Sequence, residues 1–143
     1  MATMTGDTAG GDEEASARLC DLAQIRPDVA LIVLFGSRVR GRARPDSDVD
    51  VAVGGDGPLD LDALHLVLAP RLRSDRLDLV DLGRAGSLLA FEIARHGTLL
   101  YEREPGRFRA FQSLASRRYG DTAKLRQAQR RAIQAFLGRM GLR

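Results

Sequence analysis

The sequence has few of the residues that usually mark a disulfide scaffold or a nucleic-acid surface. Its 143 residues include one cysteine, Cys20, no tryptophan, and only 5% aromatic residues. A single cysteine cannot form an internal disulfide, and the apolar neighbours of Cys20 predict a buried structural thiol. So few aromatic rings offer little surface for base stacking, and a net charge of only +3 adds little attraction for phosphate backbones. Both features disfavour nucleic acid as a partner.

Long hydrophobic runs and a secretion signal are also lacking. The longest apolar run, residues 29–35, is far too short to cross a bilayer. The N-terminal segment carries Asp12, Glu13 and Glu14 in place of the basic and apolar regions of a signal peptide. The expected location is therefore the cytoplasm.

Hydrophobic patterning predicts one α/β domain over residues 13–138, with a C-terminal helical segment, after a disordered leader over residues 1–12. The predicted strands are residues 30–35, 48–53, 77–82 and, at a sheet edge, 98–101. The predicted helices are residues 13–25, 61–72 after an Asp60 N-cap, 87–96, and a basic segment from 105 with a break near Gly120-Asp121. These elements indicate a small mixed β-sheet flanked by helices, with helices on one face and functional side chains on the open face.

Two carboxylates, Asp48 and Asp50, lie two residues apart on the second predicted strand. Side chains at positions i and i+2 of a strand point to the same face. Two adjacent anions repel each other unless a cation lies between them. Because Mg²⁺ prefers oxygen ligands and combines one or two carboxylates with substrate phosphates, the pair predicts a magnesium site.

The third predicted strand offers two further carboxylates. Asp78 lies between Leu77 and Leu79, so its side chain is expected on the face opposite the leucines. Asp81 shares the parity of the leucines, but at the end of the strand it can still reach solvent. Parity therefore favours Asp78 over Asp81 as the third acid, without deciding between them.

A candidate phosphate site precedes these carboxylates. Gly36-Ser37 directly follows the first predicted strand, and glycine lets a ligand approach the backbone closely. The next residues can open a helix whose free N–H groups bind phosphate, assisted by the Ser37 hydroxyl. Arg38 and Arg40 are the nearest cations and are predicted to bind the nucleotide. The roles of two further arginines stay open between phosphate, solvent and partner: Arg42 and Arg44.

Together these residues predict metal-dependent transfer of a nucleoside monophosphate from a nucleoside triphosphate to an acceptor hydroxyl. Asp48 and Asp50 are expected to hold one or two Mg²⁺ ions, which orient the triphosphate and stabilise the leaving pyrophosphate. Asp78 is expected either to bind the metal as well or to act as the base toward the hydroxyl.

The motif Gly36-Ser37, ten residues, then Asp48-Val49-Asp50 and Leu77-Asp78-Leu79 resembles the signature of the polymerase-beta nucleotidyltransferase superfamily. In detail it resembles the minimal nucleotidyltransferase (MNT) group, over about residues 18–130. The other similar segments are Gly36–Gly41, Phe91-Glu92-Ile93, His96-Gly97, Leu100-Tyr101-Glu102 and Tyr119-Gly120-Asp121. The chain departs from the pattern at Arg42, where many relatives carry an acidic residue.

The resemblance implies a polymerase-beta-like fold, ATP as substrate, and a HEPN-domain toxin as partner. It further implies transfer of AMP to a hydroxyl of that toxin, tyrosine in particular, so that the chain acts as an antitoxin and can form homo- or hetero-oligomers. Two other functions suit the same residues. One is an aminoglycoside-type nucleotidyltransferase that acts on a small molecule, and the other is an antitoxin that neutralises its partner by contact alone.

Overall fold

The computed structural model describes residues 4–36 and 48–141, with side chains from Gly10 onward in the first helix. Its elements in chain order are α1 (Met4–Arg18), α2 (Leu22–Ile25), β1 (Val29–Phe35), β2 (Val49–Gly55), α3 (Leu61–Leu72), β3 (Leu77–Asp81), α4 (Ser87–His96), β4 (Thr98–Glu102) and α5 (Arg107–Arg139). All four predicted strands are present, and the Asp60 carboxylate caps α3 by accepting the Ala63 N–H at 3.2 Å, as predicted.

The four strands form one mixed sheet in the order β3-β2-β1-β4. Strand β2 is antiparallel to β1 and parallel to β3, since α3 provides the crossover between them. Strand β4 pairs with β1 at the edge of the sheet, as the sequence predicts. The central strand β1 is apolar throughout, because both of its faces are buried.

Helices cover both faces of the sheet. On one face, Val49, Val51 and Val53 pack with the α3 leucines and the first helices. On the other face, Val33 and Ala52 pack with Ile93 of α4 and with the phenylalanines of α5. The mixed sheet flanked by helices is confirmed, but the expectation of one open face is wrong. An apolar β1 presents side chains to both faces, and each set requires cover.

Three details of the N- and C-terminal regions differ from the sequence-based expectations. Helix α5 continues through Gly120-Asp121, so the predicted break is wrong; Tyr119 stacks on Phe91 of α4 and supports the helix at this point. Cys20 is exposed, so its predicted burial is also wrong. Helix α1 begins at Met4, so residues 4–12 are helical where a disordered leader was predicted. The domain boundaries themselves stay predictions. In the two described ranges, no helix has both the length and the apolar character needed to cross a membrane.

The Tyr101 hydroxyl on β4 is buried and has no hydrogen-bond partner among the described residues. Burial also raises the pKa of this hydroxyl. Because a buried polar group without a partner carries its full desolvation cost, we expect Tyr101→Phe to raise the free energy of unfolding by about 1 kcal/mol. Urea unfolding of the two proteins measures this difference. A loss of stability in the variant would show instead that the hydroxyl has a partner, such as an ordered water.

Candidate active site

Asp50 and Asp78 lie side by side on neighbouring strands. In the parallel pairing of β2 with β3, Asp50 is the direct partner of Asp78, and Val49 and Val51 are the partners of Leu77 and Leu79. Those four apolar side chains belong to the core on the opposite face. Because side chains alternate along a strand, both carboxylates point to the face that carries Ala52. The predicted common face of Asp50 and Asp78 is thus confirmed.

Asp48 completes a cluster of three acids at this end of the sheet. It is exposed and immediately precedes β2. The pKa of Asp50 is raised, first by partial burial, then by the negative charge of Asp78, and then by that of Asp48. The folded chain therefore holds mutually repelling carboxylates together, which costs stability unless a cation is present.

Asp81 lies on the other face and has a different function in the fold. Its Cα is the partner of Val53, and only 8% of its surface is exposed. One carboxylate oxygen accepts the Gly83 N–H at 2.8 Å, which stabilises the turn after β3. The geometry thus places Asp78, and not Asp81, beside Asp50. The chemical role of Asp78 stays a prediction.

Gly36 joins the end of β1 to the carboxylate cluster. Phe35 is the partner of Asp50 in the β1–β2 pairing, so the next residue lies against the Asp50 side chain. Gly36 has φ +86°, and a Cβ at this position would overlap Oδ2 of Asp50 and lie 3.1 Å from its Cβ and Cγ. Only glycine satisfies both the positive φ and the close contact.

The sequence pattern predicts Gly36 as a nucleotide ligand alone and does not reveal its contact with Asp50. The strand pairing that creates the contact has no local sequence signal, so neither Phe35 nor Gly36 reveals it. The remaining predicted nucleotide ligands, Ser37, Arg38 and Arg40, lie outside the described residues, as do Arg42 and Arg44. Their predicted roles stay predictions.

The carboxylates suit a hard divalent cation that is shared with a substrate. In residues 4–36 and 48–141, no group of three or more His, Cys, Asp or Glu side chains is arranged to hold a metal by itself. Mg²⁺ does not require such a group, because it usually takes one or two carboxylates and completes its shell with phosphates and water. Asp50 and Asp78, with Asp48 nearby, meet this smaller requirement.

Both histidines have partners within the fold. The Nε2–H of His65 donates to the Leu77 carbonyl at 3.1 Å, which ties α3 to the start of β3. His96 lies 3.7 Å from Glu92 on α4. Two residues in the family-like segments, Phe91 and Tyr119, stack with ring centroids 4.1 Å apart and so join α4 to α5.

Comparison with known proteins indicates a nucleotidyltransferase, as the arrangement of the carboxylates does. The family model described as "Polymerase beta, Nucleotidyltransferase" matches residues 18–106, more than half of the chain. The chain is 30% identical over 128 residues to the protein adenylyltransferase MntA of Aphanizomenon flos-aquae (strain 2012/KM1/D3), covering 81% of this chain and 85% of that protein.

Two solved complexes contain chains of similar fold. One is a toxin–antitoxin crystal structure with AMP-PNP, with a TM-score of 0.66, 28% identity, and coverage of 83% of this chain and 98% of that chain. The other is the tri-AMPylated Shewanella oneidensis HEPN toxin in complex with MNT antitoxin, with a TM-score of 0.62, 27% identity, and coverage of 86% and 98%. With its mixed sheet and its strand-borne carboxylates, the chain therefore belongs to the polymerase-beta nucleotidyltransferase family.

Proposed function

We propose that this chain is a protein adenylyltransferase that transfers AMP from ATP to a hydroxyl of a HEPN-type partner toxin, tyrosine in particular, and so acts as its antitoxin. The observation that carries the proposal is the direct pairing of Asp50 with Asp78, beside Gly36, on a polymerase-beta nucleotidyltransferase fold. The named relative is a protein adenylyltransferase, and the solved neighbours include an ATP analogue and an AMP-modified HEPN toxin. We place the activity in the cytoplasm, where ATP is abundant.

The reaction is an in-line displacement at the α-phosphorus of ATP. The acceptor hydroxyl oxygen forms a bond to that phosphorus, the bond to the bridging oxygen breaks, and pyrophosphate leaves. Asp48 and Asp50 would hold Mg²⁺, while Asp78 either accepts the hydroxyl proton or contributes a further metal ligand, in which case the proton leaves to solvent. Bound magnesium supplies charge neutralisation on the triphosphate and on the leaving group. Ser37, Arg38 and Arg40 are assigned to the phosphates in the same proposal.

A small-molecule acceptor has less support. A groove of about 480 Å³ lies between α4 and α5, lined by Leu88, Tyr119, Ala123, Arg126, Gln127 and Arg130. None of the three carboxylates lines this groove, so it does not provide an acceptor pocket at the reacting group.

A labelling experiment tests both the transfer of AMP to a protein and the choice of Asp78 over Asp81 as the third acid. The purified chain is incubated with Mg²⁺ and each α-labelled nucleoside triphosphate in lysate of its own host. We expect label from ATP in one protein band, whose modified residue mass spectrometry then identifies. We expect Asp78→Asn to lower the labelling rate by about 100-fold or more, the usual effect of removing a catalytic acid or base.

Asp81→Asn is the matched control, because its amide oxygen can still accept the Gly83 N–H. It should label the band at the wild-type rate. Label confined to small molecules would replace the protein acceptor with a small one. Full activity of Asp78→Asn would remove that residue from the mechanism, and binding to a toxin without any labelling would leave an antitoxin that acts by contact alone.

A further inference from the structure

Helix α5 is much longer than the surface it covers. Its 33 residues extend about 50 Å at the usual rise of an α-helix. The contacts with α4 include Gln112, whose side chain donates to the Ala94 carbonyl, Ala115 in an alanine cluster, and Thr122, whose hydroxyl bonds to that of Ser87. From residue 127 to residue 140, every residue is exposed except Leu137, which is half-buried.

The apolar stripe of α5 nevertheless continues into this exposed part. Ile133 is 18 residues, or about five turns, after the buried Ala115, so it lies on the same side of the helix. Three further apolar residues, Phe136, Leu137 and Met140, lie on the same side as Ile133, at the spacing of an amphipathic helix. We call the four residues the distal stripe: Ile133, Phe136, Leu137 and Met140.

The distal stripe is a substantial apolar surface without cover. Ile133, Phe136 and Met140 are 57%, 54% and 58% exposed. Between Gln112 and Thr122, residues on this side of α5 pack against α4. No described residue covers the distal stripe in the same way. Grouped and exposed apolar side chains of this kind, bordered by several arginines, are typical of an interaction surface.

The charge around the stripe indicates what covers it. No acidic residue occurs between residues 122 and 141, whereas five basic residues do: Lys124, Arg126, Arg130, Arg131 and Arg139. A second copy of the helix would bring five more positive charges against these, which disfavours self-association. Arginine is also better suited than lysine to fork-like pairing with carboxylates. A helix with an apolar stripe flanked by Asp and Glu complements this surface.

We propose that the distal stripe docks an acidic amphipathic helix of the protein that this chain adenylylates; the identity of that protein rests on the proposed function. Ile133 and Phe136 are the apolar anchors, and the surrounding arginines pair with carboxylates at the rim of the interface. The groove between α4 and α5 lies at the base of the stripe and receives an end of the docked segment.

The base of the distal stripe is held rigidly. The Arg126 guanidinium lies 5.1 Å from the centre of the Tyr119 ring, and that ring stacks on Phe91. These three layers fix the direction in which α5 leaves the domain. A docking helix fixed in this way presents its partner in one orientation, which lowers the entropic cost of bringing an acceptor hydroxyl to the active site.

The first test uses photocrosslinking in cells of the native host. A photoreactive amino acid replaces Ile133 or Phe136 in the full chain, and a control replaces Leu66 on α3, which is 77% exposed. We expect both stripe positions, and not position 66, to crosslink to an acidic helical segment of the protein that carries the AMP label. No crosslink, equal crosslinking from position 66, or crosslinks only to a second copy, to lipid or to nucleic acid would overturn the proposal.

The second test separates docking from chemistry by kinetics. The double variant Ile133→Glu, Phe136→Glu is expected to raise KM for the acceptor protein by about tenfold or more, while kcat and KM for ATP stay unchanged. Leu66→Glu is the matched control and should leave all three constants unchanged. An unaltered acceptor KM in a folded double variant would overturn the docking proposal and leave the proposed function standing. Crosslinking to an acidic helix without any AMP transfer would overturn the proposed function and leave the docking surface standing.

Discussion

Asp50→Asn is expected to abolish AMP transfer and, at the same time, to stabilise the chain at neutral pH when no divalent cation is present. The loss of transfer should be at least about 100-fold, comparable to removing one preorganised electrostatic group from an active site. The gain in stability follows from the raised pKa of Asp50, which reflects partial burial and the charges of Asp78 and Asp48. The asparagine amide is neutral and removes this repulsion.

The pH dependence has a definite sign. A carboxyl group whose pKa is raised by folding does not reduce the free energy of unfolding at low pH, because it is then protonated in both the folded and the unfolded state. As the pH rises through the folded-state pKa, the group ionises and the cost develops. The stability advantage of Asp50→Asn should therefore be absent near pH 3, below the ordinary Asp value of about 3.9, and complete at pH 7.

Melting temperatures in EDTA at these two pH values measure the effect. We expect the variant to melt about 2–4 °C above the wild type at pH 7, a shift that corresponds to roughly 1 kcal/mol in a domain of this size. The increase is modest because solvent screens the exposed part of the carboxylate. Added Mg²⁺ should raise the melting temperature of the wild type and not that of the variant. A variant that melts below the wild type at pH 7 would contradict the repulsion argument.

Gly36→Ala should cost both stability and activity. The alanine must adopt φ near +86°, and its Cβ would overlap Oδ2 of Asp50. The positive φ alone costs about 1–2 kcal/mol, and relief of the overlap requires the Asp50 carboxylate to leave its position between Gly36 and Asp78. We therefore expect a lower melting temperature and loss of AMP transfer that added Mg²⁺ does not restore.

Two other glycines separate the causes of this effect. Gly106 also has a positive φ, +94°, but a Cβ there would meet nothing within 4 Å. Gly106→Ala should lower the melting temperature and preserve transfer. Gly57 has neither a positive φ nor a close neighbour, so Gly57→Ala should change neither quantity. Transfer at the wild-type rate by Gly36→Ala would show that the contact with Asp50 is unimportant for the reaction.

The elements of this fold were largely predictable because their signals are local. Alternation along residues 48–53 and 77–82 identified strands and assigned Asp50 and Asp78 to the face opposite the core, since side chains alternate with a period of two. The Asp60 cap likewise depends on neighbouring residues only. Local signals failed where contacts from distant residues decide the outcome. Gly120 predicted a break in α5 that the stacking of Tyr119 on Phe91 prevents, and the apolar neighbours of Cys20 predicted a burial that the turn between α1 and α2 does not provide.

The sequence by itself determined that the chain carries carboxylates of matching parity on two strands, and its motif identified the nucleotidyltransferase family. Only the tertiary structure decided that Asp78 lies beside Asp50 while Asp81 caps a turn, because this depends on the register of β2 against β3. The contact of Gly36 with Asp50 and the exposure of the distal stripe were decided in the same way. Side-chain direction within one strand or helix follows from the repeat of the backbone, whereas strand register and helix cover depend on packing between residues far apart in the chain.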